Sequence, residues 1–268
     1  MSLRLSLPNP FGGAIWYKER TASTMDDIRA LIRRGEPEGT VAIAGFQEAG
    51  RGRFADRRWE AGPGEALLFS IALRAPRPAS GDPPASFPGA PDDHPPASLR
   101  APRPASGDRT PALTPSLRLA LGVAQFLESL GLKPVIKWPN DLLLDERKVC
   151  GILVVSSGGW LYGGIGLNLR QSRFPDKLRR PATSLLLAGR DLAPEEALSG
   201  LLPWLQAAYF DANARFEAER RLWHLYEEVE VEEQPTFPPR RGRASGLAAD
   251  GALLLETPTG TVRCIVGE

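Results

Sequence analysis

Apolar residues fall into two kinds of pattern along this chain. In STMDDIRALIRRG (23–35), Met25, Ile28, Ala30, Leu31 and Ile32 recur at helical spacing behind a Ser or Thr suited to capping, and Gly35 supplies a stop. PSLRLALGVAQFLESL (115–130) repeats the arrangement, with Thr114 before it and Gly131 after it. Elsewhere the apolar residues form short unbroken runs, which read as buried strands: TVAIAGF (40–46), ALLFSIAL (66–73) and WLYGGIGLNL (160–169), with an extended start near 15–18. LLLDERKVCGILVV reads as a hairpin turning at Asp145 and Glu146, and a long helical stretch follows Pro194. The last 40 or so residues change to short strands around an Asp250-Gly251 turn. The order predicts a mixed α/β domain followed by a small β unit.

One segment breaks both patterns. Between residues 75 and 114 Pro, Ala, Ser, Gly and Asp dominate, and LRAPRPASGD occurs at 73–82 and again at 99–108. Two copies without apolar periodicity stack nothing, so we read a tandem duplication, not a solenoid. So little apolar surface cannot offset chain entropy, and a disordered insert is expected.

Composition narrows the function. With 33 Lys plus Arg against 32 Asp plus Glu, the net charge of +1 provides no global basic field for nucleic acid. Neither an apolar run of membrane-spanning length nor a secretory leader stands out, so a cytoplasmic protein without membrane partners is expected. Cys150 and Cys264 lie outside any metal-ligand spacing and read as buried apolar residues. His94 and His224 also lack ligand spacing, so no metal site is assigned.

Three stretches carry candidate chemistry. EAGRGRFADRRW (48–59) sets Gly50 and Gly52 beside Arg51 and Arg53, so a backbone able to approach a ligand closely carries permanent anion-binding forks. Taken alone it reads first as a solvated face, and otherwise as a phosphate or carboxylate cradle or an RNA-binding arginine loop. KWPND (137–141) brings Lys137, Asn140 and Asp141 near Lys148 across the hairpin, a set suited to polyphosphate and Mg²⁺. GGIGLNL (163–169) places glycines in an apolar strand, where a ligand or another backbone must come close. Neither a dinucleotide fingerprint nor a phosphate-loop motif is present.

In order, STM (23–25), QEAGRGR (47–53), KWPND (137–141), KVCGIL (148–153) and GIGLNL (164–169) resemble the biotin protein ligase family over nearly the whole chain outside the insert. The resemblance implies an α+β fold: a mixed-sheet catalytic domain over 1–222, shared with lipoate ligases, and an SH3-like β-barrel over 223–268. It also implies MgATP-dependent formation of biotinyl-5′-AMP and transfer of biotin to a lysine of a biotin carboxyl carrier protein, by a monomer or homodimer.

The same resemblance assigns roles. Ser23, Thr24 and Gln47 would meet the biotin head; Gly50, Arg51 and Gly52 form the loop closing over biotin; Gly164 and Gly166 admit biotin to the backbone. Lys148, Arg53 and Lys137 are the implied catalytic cations, and Trp59, Asn140, Asp141 and Asn168 the implied ATP side, again with Arg53. Two departures stand out: Phe54, Ala55 and Asp56 follow GRGR where members often continue with Gly and Arg, and Met25 replaces an Asn of some members. Too few residues precede Ser23 for the helix-turn-helix domain of repressor members, so a ligase without DNA binding is expected. A lipoate or octanoate ligase is the rival enzyme, although its Arg-Arg-x-Ser-Gly-Gly-Gly loop is missing. An arginine-loop nucleic-acid binder is the rival non-enzyme, opposed by the net charge.

Overall fold

The computed structural model describes residues 2–52, 58–75, 113–175, 178, 180–232 and 238–265. Arg53, His94 and all but the ends of the Pro-rich segment lie outside them.

An eight-stranded sheet organises the larger part of the chain. Its strands are β1 (Leu3–Leu5), β2 (Ile15–Thr21), β3 (Val41–Gln47), β6 (Ala66–Arg74), β7 (Val135–Lys137), β8 (Asp141–Leu144), β9 (Arg147–Ser157) and β10 (Trp160–Asn168). Their order is β1-β2-β3-β6-β10-β9-β8-β7. Helix α1 (Thr24–Arg33) connects β2 to β3, which are parallel because a helical crossover returns the chain to the same end; the other pairs are antiparallel. A separate two-stranded ribbon pairs β4 (Gly50–Arg51) with β5 (Arg58–Trp59).

Alternation along β10 assigns the two faces of the sheet. A Cβ on Gly163 would lie 2.7 Å from Leu119 Cδ1, on α2 (Pro115–Ser129), whereas one on Gly164 would lie 3.0 Å from Met25 Cε, on α1. Thus α2 covers one face, with α3 (Pro194–Phe210) packed on it, and α1 covers part of the other. The core runs through Phe69, Ile71, Leu119, Leu121 and Leu127, all fully or nearly fully buried. Arg118 is the exception on the buried helix: its guanidinium donates to the carbonyls of Tyr209 and Asp211 at 2.8 and 2.9 Å, satisfying the end of α3.

Most local signals act as expected. The Ser23 hydroxyl accepts from the Met25 amide and caps α1, Gly35 takes φ of +94°, and the β8–β9 turn places Asp145 and Glu146 at φ of 47° and 62°. Thr114 precedes α2 but makes no side-chain cap; Pro115 starts that helix instead. Five short strands were not assigned from sequence: β1, β4, β5, β7 and β11 (Glu228–Val231). Both cysteines are buried, as expected.

After α4 (Ala214–Glu219), β11 pairs with β12 (Arg240–Leu247), followed by β13 (Leu253–Thr257) and β14 (Gly260–Cys264) in a four-stranded antiparallel sheet. This is the small β unit the patterning anticipated. No helix among the described residues is long and apolar enough to cross a membrane.

Candidate active site

A cavity of about 680 Å³ opens on the α1 face of the large sheet, between the start of α1, the β4–β5 ribbon, β8, β9 and β10, and residues Phe174, Pro175, Leu178, Arg180 and Ala182. It has a polar end, a glycine floor and a charged end.

The polar end is a closed hydrogen-bond chain. Gln47 Oε1 accepts from the Thr24 amide at 2.8 Å and from Thr24 Oγ1 at 3.2 Å, and Thr24 Oγ1 lies 2.9 Å from Ser70 Oγ. Because the Thr24 hydroxyl donates to Gln47, the Ser70 hydroxyl donates to Thr24. Ser23, Thr24 and Ser70 are all buried, so their geometry is fixed before any ligand arrives. Ser70 was not assigned from sequence, although a lone Ser in ALLFSIAL was the available signal.

The floor is built on glycines at adjoining positions of β9 and β10, which pair Gly151 with Gly166. A Cβ on Gly166 would lie 2.6 Å from Trp59 Cε2, and one on Gly151 would lie 2.9 Å from Trp59 Cζ3. The close approach expected at Gly166 is therefore made to the indole of Trp59, and that at Gly164 to Met25. Trp59 Nε1 is buried without a hydrogen-bond partner, and Lys148 Nζ lies 5.6 Å from the centroid of the ring.

At the charged end Lys148 Nζ meets Asp141 Oδ2 at 2.8 Å, across the β8–β9 hairpin, while Asp141 Oδ1 is buried without a partner. Arg51 forks onto Asp26 of α1 at 2.8 and 2.7 Å, with both side chains about half exposed. Gly52 lines the cavity beside it. Lys137 and Arg180 line the outer rim and also a second cavity of about 350 Å³ next to the C-terminal sheet.

Two of the sequence-assigned residues spend polar atoms on the scaffold. Asn140 Nδ2 donates to the Ile152 carbonyl at 2.6 Å, tying the 137–141 turn to β9. Asn168 Nδ2 donates to the Thr183 carbonyl at 2.9 Å, and Asn168 Oδ1 accepts from Gln171 at 3.1 Å, pinning the segment that returns past the cavity. That segment adds Phe174, Pro175, Leu178 and Arg180 to the lining; nothing in its composition marked it. Cys150 faces away from this chemistry: burial pushes its thiol well above the usual range, against the lowering effect of Lys148, so it offers no thiolate.

All five sequence stretches that carried the resemblance contribute to this one cavity. No family model matches the chain. Among curated relatives, the bifunctional ligase/repressor BirA of Bacillus spizizenii is 29% identical over 262 residues, 93% of this chain and 71% of that protein. The biotin–acetyl-CoA-carboxylase ligase of Mycobacterium tuberculosis is 29% identical over 212 residues, 77% of this chain and 69% of that protein. A solved biotin protein ligase from Aquifex aeolicus, in complex with biotin and ATP, superposes with a TM-score of 0.71 at 26% identity, covering 95% of this chain and 96% of that one. The chain is similar to biotin protein ligases both in sequence and in fold.

Its GRGR loop departs from the pattern expected of those proteins, and the described residues show part of its setting. The first arginine of GRGR already has a carboxylate partner in Asp26, and Trp59 is already seated on the glycine floor. The altered residues Phe54, Ala55 and Asp56 lie outside the described residues.

Proposed function

We infer that this chain is an ATP-dependent biotin protein ligase, forming biotinyl-5′-AMP and passing the biotinyl group to a lysine of a biotin carboxyl carrier protein. The observation that carries the reading is one cavity with a buried, neutral hydrogen-bonding end and a cationic end, joined by a glycine floor.

The neutral end suits the ureido head of biotin. Gln47 is oriented by the two bonds its oxygen accepts, leaving its amide as a donor, and the hydroxyls of Ser23 and Ser70 lie beside it. A neutral heterocycle binds such a set without the cost of burying charge. The cationic end suits the biotin carboxylate and the phosphates. When a carboxylate oxygen attacks the α-phosphorus and the bond to pyrophosphate breaks, negative charge gathers near Lys148 and Arg51. A unit charge at about 4 Å is worth about 4 kcal/mol at an effective dielectric of 20. Asp141 orients Lys148 through its 2.8 Å contact. Lys137 and, beyond the described residues, Arg53 complete the implied phosphate side.

Mg²⁺ fits this site as the triphosphate's own ion. Asp141 Oδ1 is an oxygen without a protein partner, and no group of three His, Cys, Asp or Glu side chains gathers among the described residues. Asp141 would hold it, and the ion would supply charge neutralisation on the phosphates. Trp59, which lies against Gly151 and Gly166, would cover the adenylate and keep water from the mixed anhydride. We assign residues 1–222 to the catalytic domain, with Asn168 on its adenine side, and 223–268 to an SH3-like β domain.

Mass spectrometry of the protein with MgATP and either biotin or lipoate tests the reading. Biotinyl-5′-AMP alone is the expected product. Lipoyl-AMP in its place would transfer the chain to the rival ligase reading, and no adenylate with either acid would overturn both.

A further inference from the structure

The Lys137–Asp141 turn is held from a direction unrelated to the cavity. Trp138, only 7% exposed, turns away from the site and donates its indole N–H to the Gly251 carbonyl at 2.9 Å. Gly251 belongs to the turn between β12 and β13 in the C-terminal sheet. That turn is itself closely packed: Gly251 sits at φ of +85°, and a Cβ there would come within 2.9 Å of Leu117 Cδ1 and 3.2 Å of the Thr114 amide. Asp250 braces it from outside, accepting from the Ala252 amide at 3.2 Å and pairing with Arg263 at 2.6 Å.

A second tie holds the strand leading into the turn. In β7, the Ile136 amide donates to the Arg221 carbonyl at 2.7 Å and the Trp223 amide donates to the Ile136 carbonyl at 2.9 Å. Arg221 is itself fixed between Glu128 of α2, at 2.7 and 2.9 Å, and Glu217 of α4. The residues flanking Lys137 are therefore fastened to the chain entering the C-terminal sheet and to a turn within it. On the cavity side the same turn is fastened to β9 by the Asn140 side chain, which donates to the Ile152 carbonyl, by the β8–β9 pairing that begins at Asp141, and by the Lys148–Asp141 pair.

We propose that Trp138 is a positioning residue, through which the C-terminal sheet sets the placement of Lys137 and Asp141 for the nucleotide half of the site. Contact with biotin is not part of its role, because the Thr24–Gln47–Ser70 hydrogen-bond chain belongs to α1, β3 and β6. The inference rests on the ligase reading, and it predicts a split: loosening this joint weakens the use of ATP and leaves biotin capture alone.

Trp138→Phe keeps an aromatic ring but removes the donor, leaving the Gly251 carbonyl unmatched. An about tenfold rise in KM for ATP, or an equal fall in the rate of adenylate formation, is expected, with the biotin Kd, measured by calorimetry without ATP, unchanged. Asp250→Ala loosens the same turn without touching Trp138 and should shift the ATP parameter in the same direction by a smaller factor. Hydrogen exchange supplies a readout independent of activity: amides of 137–141 should exchange faster in both variants, while those of 24–33 stay as in the wild type. Equal weakening of biotin and ATP, or unchanged 137–141 exchange in both variants, would overturn the proposal. A wild type that forms no adenylate would sink the ligase reading instead, and the exchange comparison would still decide the joint.

Discussion

The two ends of the cavity are built on different physics. At the polar end, Thr24, Gln47 and Ser70 are linked by neutral hydrogen bonds, with Thr24 and Ser70 buried and the buried Ser23 beside them. At the charged end, Arg51 holds Asp26 and Lys148 holds Asp141, and the Arg51–Asp26 pair is about half exposed. The first arrangement is rigid because leaving any of its groups unpaired costs more than the bond itself is worth. The second is exchangeable: a ligand carboxylate or phosphate can take over an arginine fork from a half-solvated carboxylate at little cost. Under the proposed function, recognition of the neutral head would be preorganised, whereas the anion-holding groups would rest on internal carboxylates until substrate displaces them.

Three substitutions test this contrast. Lys148→Ala has the largest expected effect, a loss of about 10²–10³-fold in the rate of adenylate formation, because it removes the cation facing the charge that develops at phosphorus. Single-turnover kinetics at saturating biotin and ATP would measure it; a loss under threefold would remove Lys148 from the chemistry. Ser70→Ala comes next. It breaks the chain at its origin and should weaken biotin about tenfold while leaving KM for ATP in place. Equal changes in both would mean that the two ends are not separable.

Asp26→Asn is the smallest and runs the other way. Freed from its partner, Arg51 becomes available to substrate, and biotin binding should tighten by up to about fivefold at low salt. The gain should fade as ionic strength rises, since exposed pairs are screened. Weaker binding in this variant would mean that Asp26 positions Arg51 for the ligand and does not compete with it.

The acid side of the stability profile reports on the scaffold behind the charged end. The Arg221 hydrogen bond, reinforced by its charge, holds the Glu217 carboxyl below the ordinary glutamate range. A depressed carboxylate stabilises the fold fully above its unfolded pKa of about 4.3, and that contribution is lost as pH falls through the lower folded value. Glu217→Gln should therefore flatten the fall in thermal stability below about pH 4.3, as followed by circular dichroism. A variant curve parallel to the wild type would mean that the pair contributes nothing.

Much of this molecule was legible in its sequence, for local reasons. Helical spacing, Gly35 past the end of α1 and the two-residue turn at Asp145–Glu146 are decided by backbone sterics within a few residues, and they stand where they were read. The motifs that carried the resemblance also identified the cavity lining, because their side chains are fixed to adjacent strand ends. Short strands were not legible: three or four residues of β1, β7 or β11 carry too little periodicity, and only their partners make them strands. Ser70 was hidden in an apolar run for a related reason. Its importance comes from Thr24, 46 positions away in sequence and 2.9 Å away in space.

What the sequence determined by itself was therefore the elements, their order and the residue types that a biotin and phosphate site requires. Tertiary structure decided which of those residues are free to act. It gave Arg51 to Asp26, seated Trp59 on Gly151 and Gly166, spent the amides of Asn140 and Asn168 on the scaffold, and joined Trp138 to a carbonyl 113 residues further along the chain. Partnerships of this kind depend on which surfaces the packed sheet brings within hydrogen-bonding distance, and no local propensity encodes that distance.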